Sequence, residues 1–332
     1  MSSQLGQANQ SHRRLAVMVL TVSTAWFAPA TLIAAETESA LRQKIAWQVA
    51  LDAVGFSPGL IDGRIGPKTR LATREFQRVR GLEITGQLDQ ATSDALGVDP
   101  DHVIGRYTIQ PADLAEIGPA PKSWLARSEL KRLGHESLET VLAEKFHCAR
   151  HLLATLNPGK NIKRLKAGEK IVVPVICEPS GSHRAACVEI NLAEKVIRVV
   201  DSGRQLVALF HCSVARSKSR LPAGEAAVIS AVADPTYTFD PKMWPEVKEK
   251  IPRKLTIPPG PRNPVGRSWI GLSLPGYGIH GTPDPELIGK TGSHGCIRLA
   301  NWDAVRLSKM VRIGTPVRFI GRPRVEMARN DR

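Results

Sequence analysis

The stretch Tyr277-Gly-Ile-His-Gly-Thr-Pro, continuing through Ser293-His294-Gly295-Cys296-Ile297-Arg298, constrains this chain more than any other part of it. Two histidines and one cysteine fall within twenty-two residues, separated by glycines and a Thr-Pro turn. These are the ingredients of a thiol nucleophile, and they work together only if the fold brings their ends side by side. A thiol attacks a carbonyl as thiolate, and its free pKa of roughly 8.5 must be met by a nearby imidazole or by oriented amides. His280 lies sixteen residues before Cys296 and returns beside it if two strands are joined by a loop as a hairpin.

His280 is therefore read as the base. His294 is only two residues from Cys296 and shares its face in an extended segment, so its ring flanks the thiol rather than facing it. Gly295 lets the backbone turn sharply, which aims the amides of Gly295 and Cys296 at a developing oxyanion. Arg298, again two residues on, is placed to hold an anionic group of the substrate. A small buried hydrophobe and a zinc ligand are the competing readings of the cysteine. Zinc sites show paired ligands at short spacing, and this stretch has no Cys-x-x-Cys or His-x-x-x-His pair. Residue types alone leave nucleophile, structural thiol and metal ligand open.

The whole pattern narrows the choice. Ile279-His-Gly-Thr, Ile288-Gly and Ser293-His-Gly-Cys-Ile-Arg-Leu resemble the active-site signature of the L,D-transpeptidases, the YkuD-like enzymes. The resemblance covers roughly Cys187 to Gly321 and includes Ile257-Pro-Pro-Gly-Pro-Arg-Asn-Pro-Val-Gly, which is similar to the loop entering the family's active site. It implies that Cys296 is acylated, that His280 moves the proton, that the carbonyl of Gly281 fixes the imidazole from its other nitrogen, and that Gly295 helps form the oxyanion hole. Tyr277, Ser293, His294 and Arg298 match positions lining the family's donor site. No metal and no cofactor is implied.

At 332 residues the chain exceeds one ordinary domain, so two or three are expected. Its net charge of +15 suggests a polyanionic neighbour, either nucleic acid, an anionic membrane face or a wall polymer. No zinc finger, single-strand stacking platform or dense Lys/Arg block points to nucleic acid. His12-Arg13-Arg14 followed by an uncharged, apolar-leaning run to about Ala35 reads as a secretory signal, residues 1–35, with Ala28-Pro29-Ala30 and Ala34-Ala35 as sites of small residues. Left uncleaved, the same run could remain as an anchor, the only membrane contact expected. Export to the periplasm or cell envelope makes disulfides possible. With Cys296 a thiol, Cys148, Cys177, Cys187 and Cys212 allow three pairings or none, Cys177 and Cys187 being nearest in sequence.

From Lys44 to about Leu96 the chain reads as three helices, 46–54, 69–79 and one ending near Leu96, broken by Gly55-Phe-Ser-Pro-Gly, Gly81 and Thr85-Gly86. Leu60-Ile-Asp-Gly-Arg-Ile-Gly-Pro-Lys-Thr-Arg, Phe76-Gln77 and Gly81-Leu82 resemble the peptidoglycan-binding type 1 domain, assigned here to residues 44–97. Pro111, Gly118, Pro119 and Pro121 mark a connecting stretch. Two short helices, Leu156-Asn-Pro-Gly and Ile171-Val-Val-Pro then resemble a lysin motif, whose first strand would have to come from Arg106-Tyr107-Thr108-Ile109. Residues 101–176 are thus read as a linker and lysin-motif-like segment.

Alternation in Val188-Glu-Ile-Asn-Leu, the apolar run Val196–Val200, and runs at 206–210, 226–232, 268–272 and 317–320 predict strands, with one helix from Trp302. The overall expectation is a multidomain α+β protein whose catalytic domain, residues 186–321, is a mainly antiparallel β-sandwich, followed by a tail, 322–332. The resemblance implies attack on the third-residue carbonyl of a peptidoglycan stem tetrapeptide, usually at meso-diaminopimelate, with release of D-alanine. A stem amine as acceptor gives a 3→3 cross-link, a protein lysine gives a wall-attached protein, and water gives an L,D-carboxypeptidase. The competing classes are a papain-like endopeptidase, disfavoured because no histidine follows Cys296, and a wall-binding adaptor without activity.

Overall fold

The catalytic half is built on strands that alternate in sequence and bury one face. The computed structural model describes residues 30–179, 183–244, 246–293 and 295–321. Residues 1–29 of the expected signal segment, the tail 322–332 and His294 lie outside the described residues. No described helix is long and apolar enough to cross a membrane. Contacts divide the chain at Thr37, and everything from Glu38 onward clusters together.

The helical module consists of α1 (Ala30–Ala53), α2 (Pro67–Val79) and α3 (Gln90–Leu96). Pro67 opens α2, where a missing N–H costs nothing. Asp89 caps α3 by accepting from the Thr92 N–H, and Gly97 ends it in the left-handed conformation. Gln48 on α1 holds the Asp62-Gly63 turn, its Oε1 accepting from both backbone N–H groups at 2.9 Å. Phe56 and Phe76 meet edge to face at 5.8 Å.

The middle segment runs β1 (Ile104–Thr108), α4 (Pro111–Ala115), α5 (Trp124–Ser128), α6 (Leu138–Lys145), α7 (Arg150–Leu156) and β2 (Lys170–Pro174). β1 pairs antiparallel with β2 from Ile104↔Pro174 to Thr108↔Lys170. A strand thus lies at 104–108, near the expected Arg106–Ile109, with a long excursion between it and α6; the pairing does not by itself make the segment a lysin motif. Asn157 ties α7 to β2, accepting the Val172 N–H at 2.8 Å and donating to the Val172 carbonyl at 2.7 Å.

Seven further strands follow in the order β3 (Cys187–Asn191), β4 (Val196–Val200), β5 (Leu206–His211), β6 (Gly224–Ala233), β7 (Tyr237–Phe239), β8 (Leu255–Ile257) and β9 (Ser268–Leu272). β10 (Gly278–His280), β11 (Ile297–Arg298), α8 (Asn301–Met310) and β12 (Pro316–Ile320) complete the chain. Eight of these strands form one sheet ordered β11-β10-β9-β6-β12-β3-β4-β5, antiparallel except at β12–β3 and β10–β11. β6 pairs with β12 through its first half and with β9 through its second, with a register shift between Val228 and Ser230. At that irregularity the sheet changes partner and curls. The curl closes where Ser213, just past β5, exchanges both backbone hydrogen bonds with Arg298 of β11 at 2.8 and 2.9 Å. The two expected layers are thus two parts of one mostly antiparallel sheet. Its core includes Val188, Ile190, Phe210, Ile270, Ile279, Ile297 and Leu307.

The helical module is packed on this sheet. Phe56 and Ser57 run beside Leu209, with the Ser57 N–H donating to the Leu209 carbonyl at 2.9 Å, so the module covers the β5 edge. Val196 and Leu209 share an apolar cluster with Trp47, Leu51 and Phe76. Asp52 of α1, fully buried, takes two hydrogen bonds from Arg306 of α8 at 2.7 and 3.1 Å and one from His147 Nδ1 at 2.9 Å.

Candidate active site

Cys296 and His280 sit where two short strands run side by side. β10 and β11 are parallel, in the register Ile279↔Ile297 and His280↔Arg298. This corrects the hairpin expectation, because a hairpin would have made the strands antiparallel. Parallel neighbours need a connection of a dozen or more residues, and the segment 281–296, with its turn at Pro285–Leu287, supplies it. Side chains two apart along a strand share a face, so the register carries Cys296 and His280 toward the same side. Both line one cavity of about 380 Å³, together with Arg298, Ser293, Gly295 and Trp269.

His280 is held from two directions. Its Nδ1 lies 2.7 Å from the Gly281 carbonyl. A carbonyl only accepts, so Nδ1 carries the proton and Nε2 keeps its lone pair. Trp269, its register partner on β9, stacks on the ring with centroids 5.8 Å apart. A Cβ on Gly278 would lie 2.4 Å from the Trp269 ring, which is why that position is glycine. Burial drives the His280 pKa down to about 4, with nearby Arg298 pushing the same way and the Gly281 hydrogen bond opposing. The imidazole is neutral across the physiological range.

Cys296 is partly buried, and its Sγ points at the Gly276 carbonyl at 3.7 Å. Burial raises its pKa, while a backbone N–H at Gly278 and the charge of Arg298 pull in the other direction. Both shifts favour the uncharged forms, thiol and neutral imidazole. Cys148 and Cys212 are fully buried, and burial pushes the Cys212 thiol up to about 12, so neither competes as nucleophile. All five cysteines are free.

The remaining expected site residues divide. Arg298 lines the cavity, and its Nε is buried without a hydrogen-bond partner among the described residues. Ser293 shapes the turn before Cys296, where its hydroxyl donates to the Cys296 carbonyl and accepts the Gly295 N–H at 3.2 Å. The Gly295 amide is thereby engaged by the turn, through a long bond. Tyr277 does not line the cavity. Its hydroxyl donates to the Arg220 carbonyl at 2.8 Å, and its ring lies 3.8 Å from where a Cβ on Gly295 would be.

Sequence reasoning missed Asn301 and Glu144. Asn301, at the start of α8 and 1% exposed, donates to Glu144 at 2.8 Å and accepts from the Arg267 N–H at 3.2 Å. A Cβ on Gly281 would lie 2.2 Å from its Oδ1, and one on Gly266 2.1 Å. Gly281, whose carbonyl orients His280, is therefore packed against Asn301 at its Cα. The Asn-Pro-Val-Gly motif supplied half of this signal, since Gly266 ends it, but nothing local to Asn301 announces the contact.

The class defined by these features is a curled-sheet protein with a cysteine and a tautomer-fixed histidine on adjacent parallel strands, preceded by a helical module. Known proteins agree with it. Residues 186–319 match the L,D-transpeptidase catalytic domain, and residues 45–96 match a peptidoglycan binding domain. YkuD of Bacillus licheniformis, assigned to the L,D-transpeptidases, is 31% identical over 182 residues, spanning 55% of this chain and 92% of that protein. YkuD of Bacillus subtilis is 26% identical over the same spans. YbiS of Escherichia coli is 31% identical over 172 residues, 50% of this chain and 55% of YbiS. The chain belongs to the L,D-transpeptidase family and carries a peptidoglycan-binding domain ahead of its catalytic domain.

Proposed function

We propose that this chain is an exported peptidoglycan L,D-transpeptidase that works through a thioester on Cys296. The observation supporting this most strongly is that Cys296 and His280 reach one cavity from adjacent parallel strands, with the imidazole tautomer set by Gly281. His280 Nε2 takes the thiol proton as Sγ bonds to the third-residue carbonyl carbon of a stem tetrapeptide. The Cys296 N–H, with Gly295 if its bond to Ser293 yields, stabilises the oxyanion. Collapse of the tetrahedral adduct breaks the C–N bond to D-alanine, which leaves with the proton from His280. An amine then attacks the thioester, gives its proton to His280 and regenerates the thiol. Arg298, which lines the cavity, holds a carboxylate of the donor stem through its guanidinium.

The acceptor we infer is the side-chain amine of a second stem, giving a 3→3 cross-link. A protein lysine or water would use the same acyl-enzyme and yield an attached protein or a trimmed stem. The helical module and the basic charge of the chain support work at the wall, in the periplasm or cell envelope. Incubating the full chain with disaccharide tetrapeptide and resolving products by mass spectrometry tests the reading. Free D-alanine with a cross-linked dimer is expected, and Cys296→Ala should give neither. D-alanine with tripeptide alone would replace cross-linking by hydrolysis, and no D-alanine would reject both.

A further inference from the structure

One wall of the Cys296 cavity is not made by the strands that carry the catalytic pair. Tyr237, Asp240 and Trp244 line it, from β7 and the turn that follows. β7 pairs only with β8, as a separate two-stranded sheet of three residues per strand joined by a long loop. A hairpin this small has little stability of its own. Something else must set the position of these side chains.

The excursion between β1 and α6 does so. Trp124 of α5 stacks on Phe239 with centroids 4.0 Å apart and planes at 18°, and its ring also lies 6.4 Å from Tyr237. Phe239, Leu255 and Ile257 of the hairpin bury with Leu133 as a core distinct from that of the middle segment, with Trp124, Leu125 and Leu130 packed against it. The Glu249 carboxylate accepts from the Ser123 hydroxyl at 2.6 Å and from the Trp124 and Leu125 N–H groups at 2.8 and 3.3 Å. The Leu133 N–H donates to the Pro259 carbonyl at 2.8 Å, and the next residue, Gly260, has φ +133 with its would-be Cβ 2.3 Å from the Leu133 oxygen. Trp244 in turn donates from Nε1 to the Tyr237 hydroxyl at 3.1 Å, so the clamp reaches the cavity surface.

We propose that residues 123–133, centred on Trp124, are a positioning element for the substrate cavity, fixing the Tyr237/Trp244 wall against which the acyl donor rests. The proposal rests on the reading of Cys296 as nucleophile, and its test separates the two. Trp124→Ala removes the stack on Phe239 and leaves β9, β10 and β11 untouched. Amide hydrogen exchange of the full chain should then rise in 237–244 and 255–260 and stay unchanged in β9 and β10, a result independent of any turnover. Against stem tetrapeptide kcat/KM should fall on the order of ten- to a hundredfold, as expected for a displaced binding surface. Alkylation of Cys296 by iodoacetamide, which needs no wall, should keep its wild-type rate, while buried Cys148 and Cys212 stay unlabelled. Trp124→Phe, which keeps a stacking ring, should restore most of the loss. Glu249→Ala, at a surface position, gives the same pattern in weaker form should Trp124→Ala fold poorly. Unchanged exchange in 237–260 would overturn the proposal. So would a loss of Cys296 alkylation matching the loss of turnover, since that would place the effect on the catalytic pair.

Discussion

At the scale of single residues, the proposed base His280 is the most sharply testable. Its ordinary pKa of 6.5 falls to about 4 because the ring is buried, so it binds no proton until the medium is acidic. The acidic limb of kcat/KM should accordingly lie near pH 4, with acylation flat from pH 6 to pH 8. A pH-rate profile with its limb near 6.5 would mean that His280 is solvated or paired with a thiolate in the free enzyme. The same shift affects stability, with a definite sign. The unfolded chain protonates this histidine below 6.5 and the folded chain only near 4, so its contribution is complete above 6.5 and is lost as pH falls toward 4. That Cys296 and His280 come together at one cavity was legible in the sequence, because both residues and their glycines lie within twenty-two positions. Tyr277, expected at the donor site by pattern alone, donates to the carbonyl of Arg220, itself part of the cavity lining.

At the scale of elements, the regular strands were readable and the ones that carry the site were not. β3, β4 and β12 alternate or run apolar over five residues and bury the expected face. β10 and β11 are three and two residues long, too short for any period to show, and their direction was misjudged for that reason. The element that fixes them is the start of α8. Asn301 there braces Gly281, and its partner Glu144 stands 157 residues away in sequence. Asn301→Ala should cost about 1–3 kcal/mol by leaving the buried Arg267 N–H without an acceptor. It should also slow acylation, since Gly281, whose carbonyl orients His280, loses the side chain packed against it. Denaturant unfolding and β-lactam acylation rates measure the two effects; a variant of wild-type stability would remove Asn301 from this account.

At the scale of the molecule, composition and punctuation divide the chain into segments without showing how they join. The helical module is tied to the sheet by buried polar contacts. Asp52 is fully buried against Arg306 and His147, Lys68 donates to the Ile288 carbonyl at 2.7 Å within the 281–296 loop, and Gly55 to Ser57 cover the edge of β5. Such contacts join residues up to 254 positions apart, and nothing in a local pattern pairs Asp52 with Arg306 rather than with another of the many basic residues. Removing 44–96 should therefore unfold the catalytic sheet rather than merely weaken wall binding. The single change Asp52→Ala should cost about 3–5 kcal/mol, because Arg306 stays buried without its bidentate partner. A full-chain melting curve unchanged by that substitution would mean the modules are independent after all.

The central claim is that Cys296 is the nucleophile, and intact-mass spectrometry of the full chain with a carbapenem tests it most directly. The strained amide of the drug offers the thiol the same carbonyl chemistry as the stem peptide. The account predicts one covalent adduct on the wild type, one on Cys212→Ala and none on Cys296→Ala, with the label mapped to the peptide bearing Cys296. An adduct that survives Cys296→Ala, or a wild type that gains no mass, would contradict it.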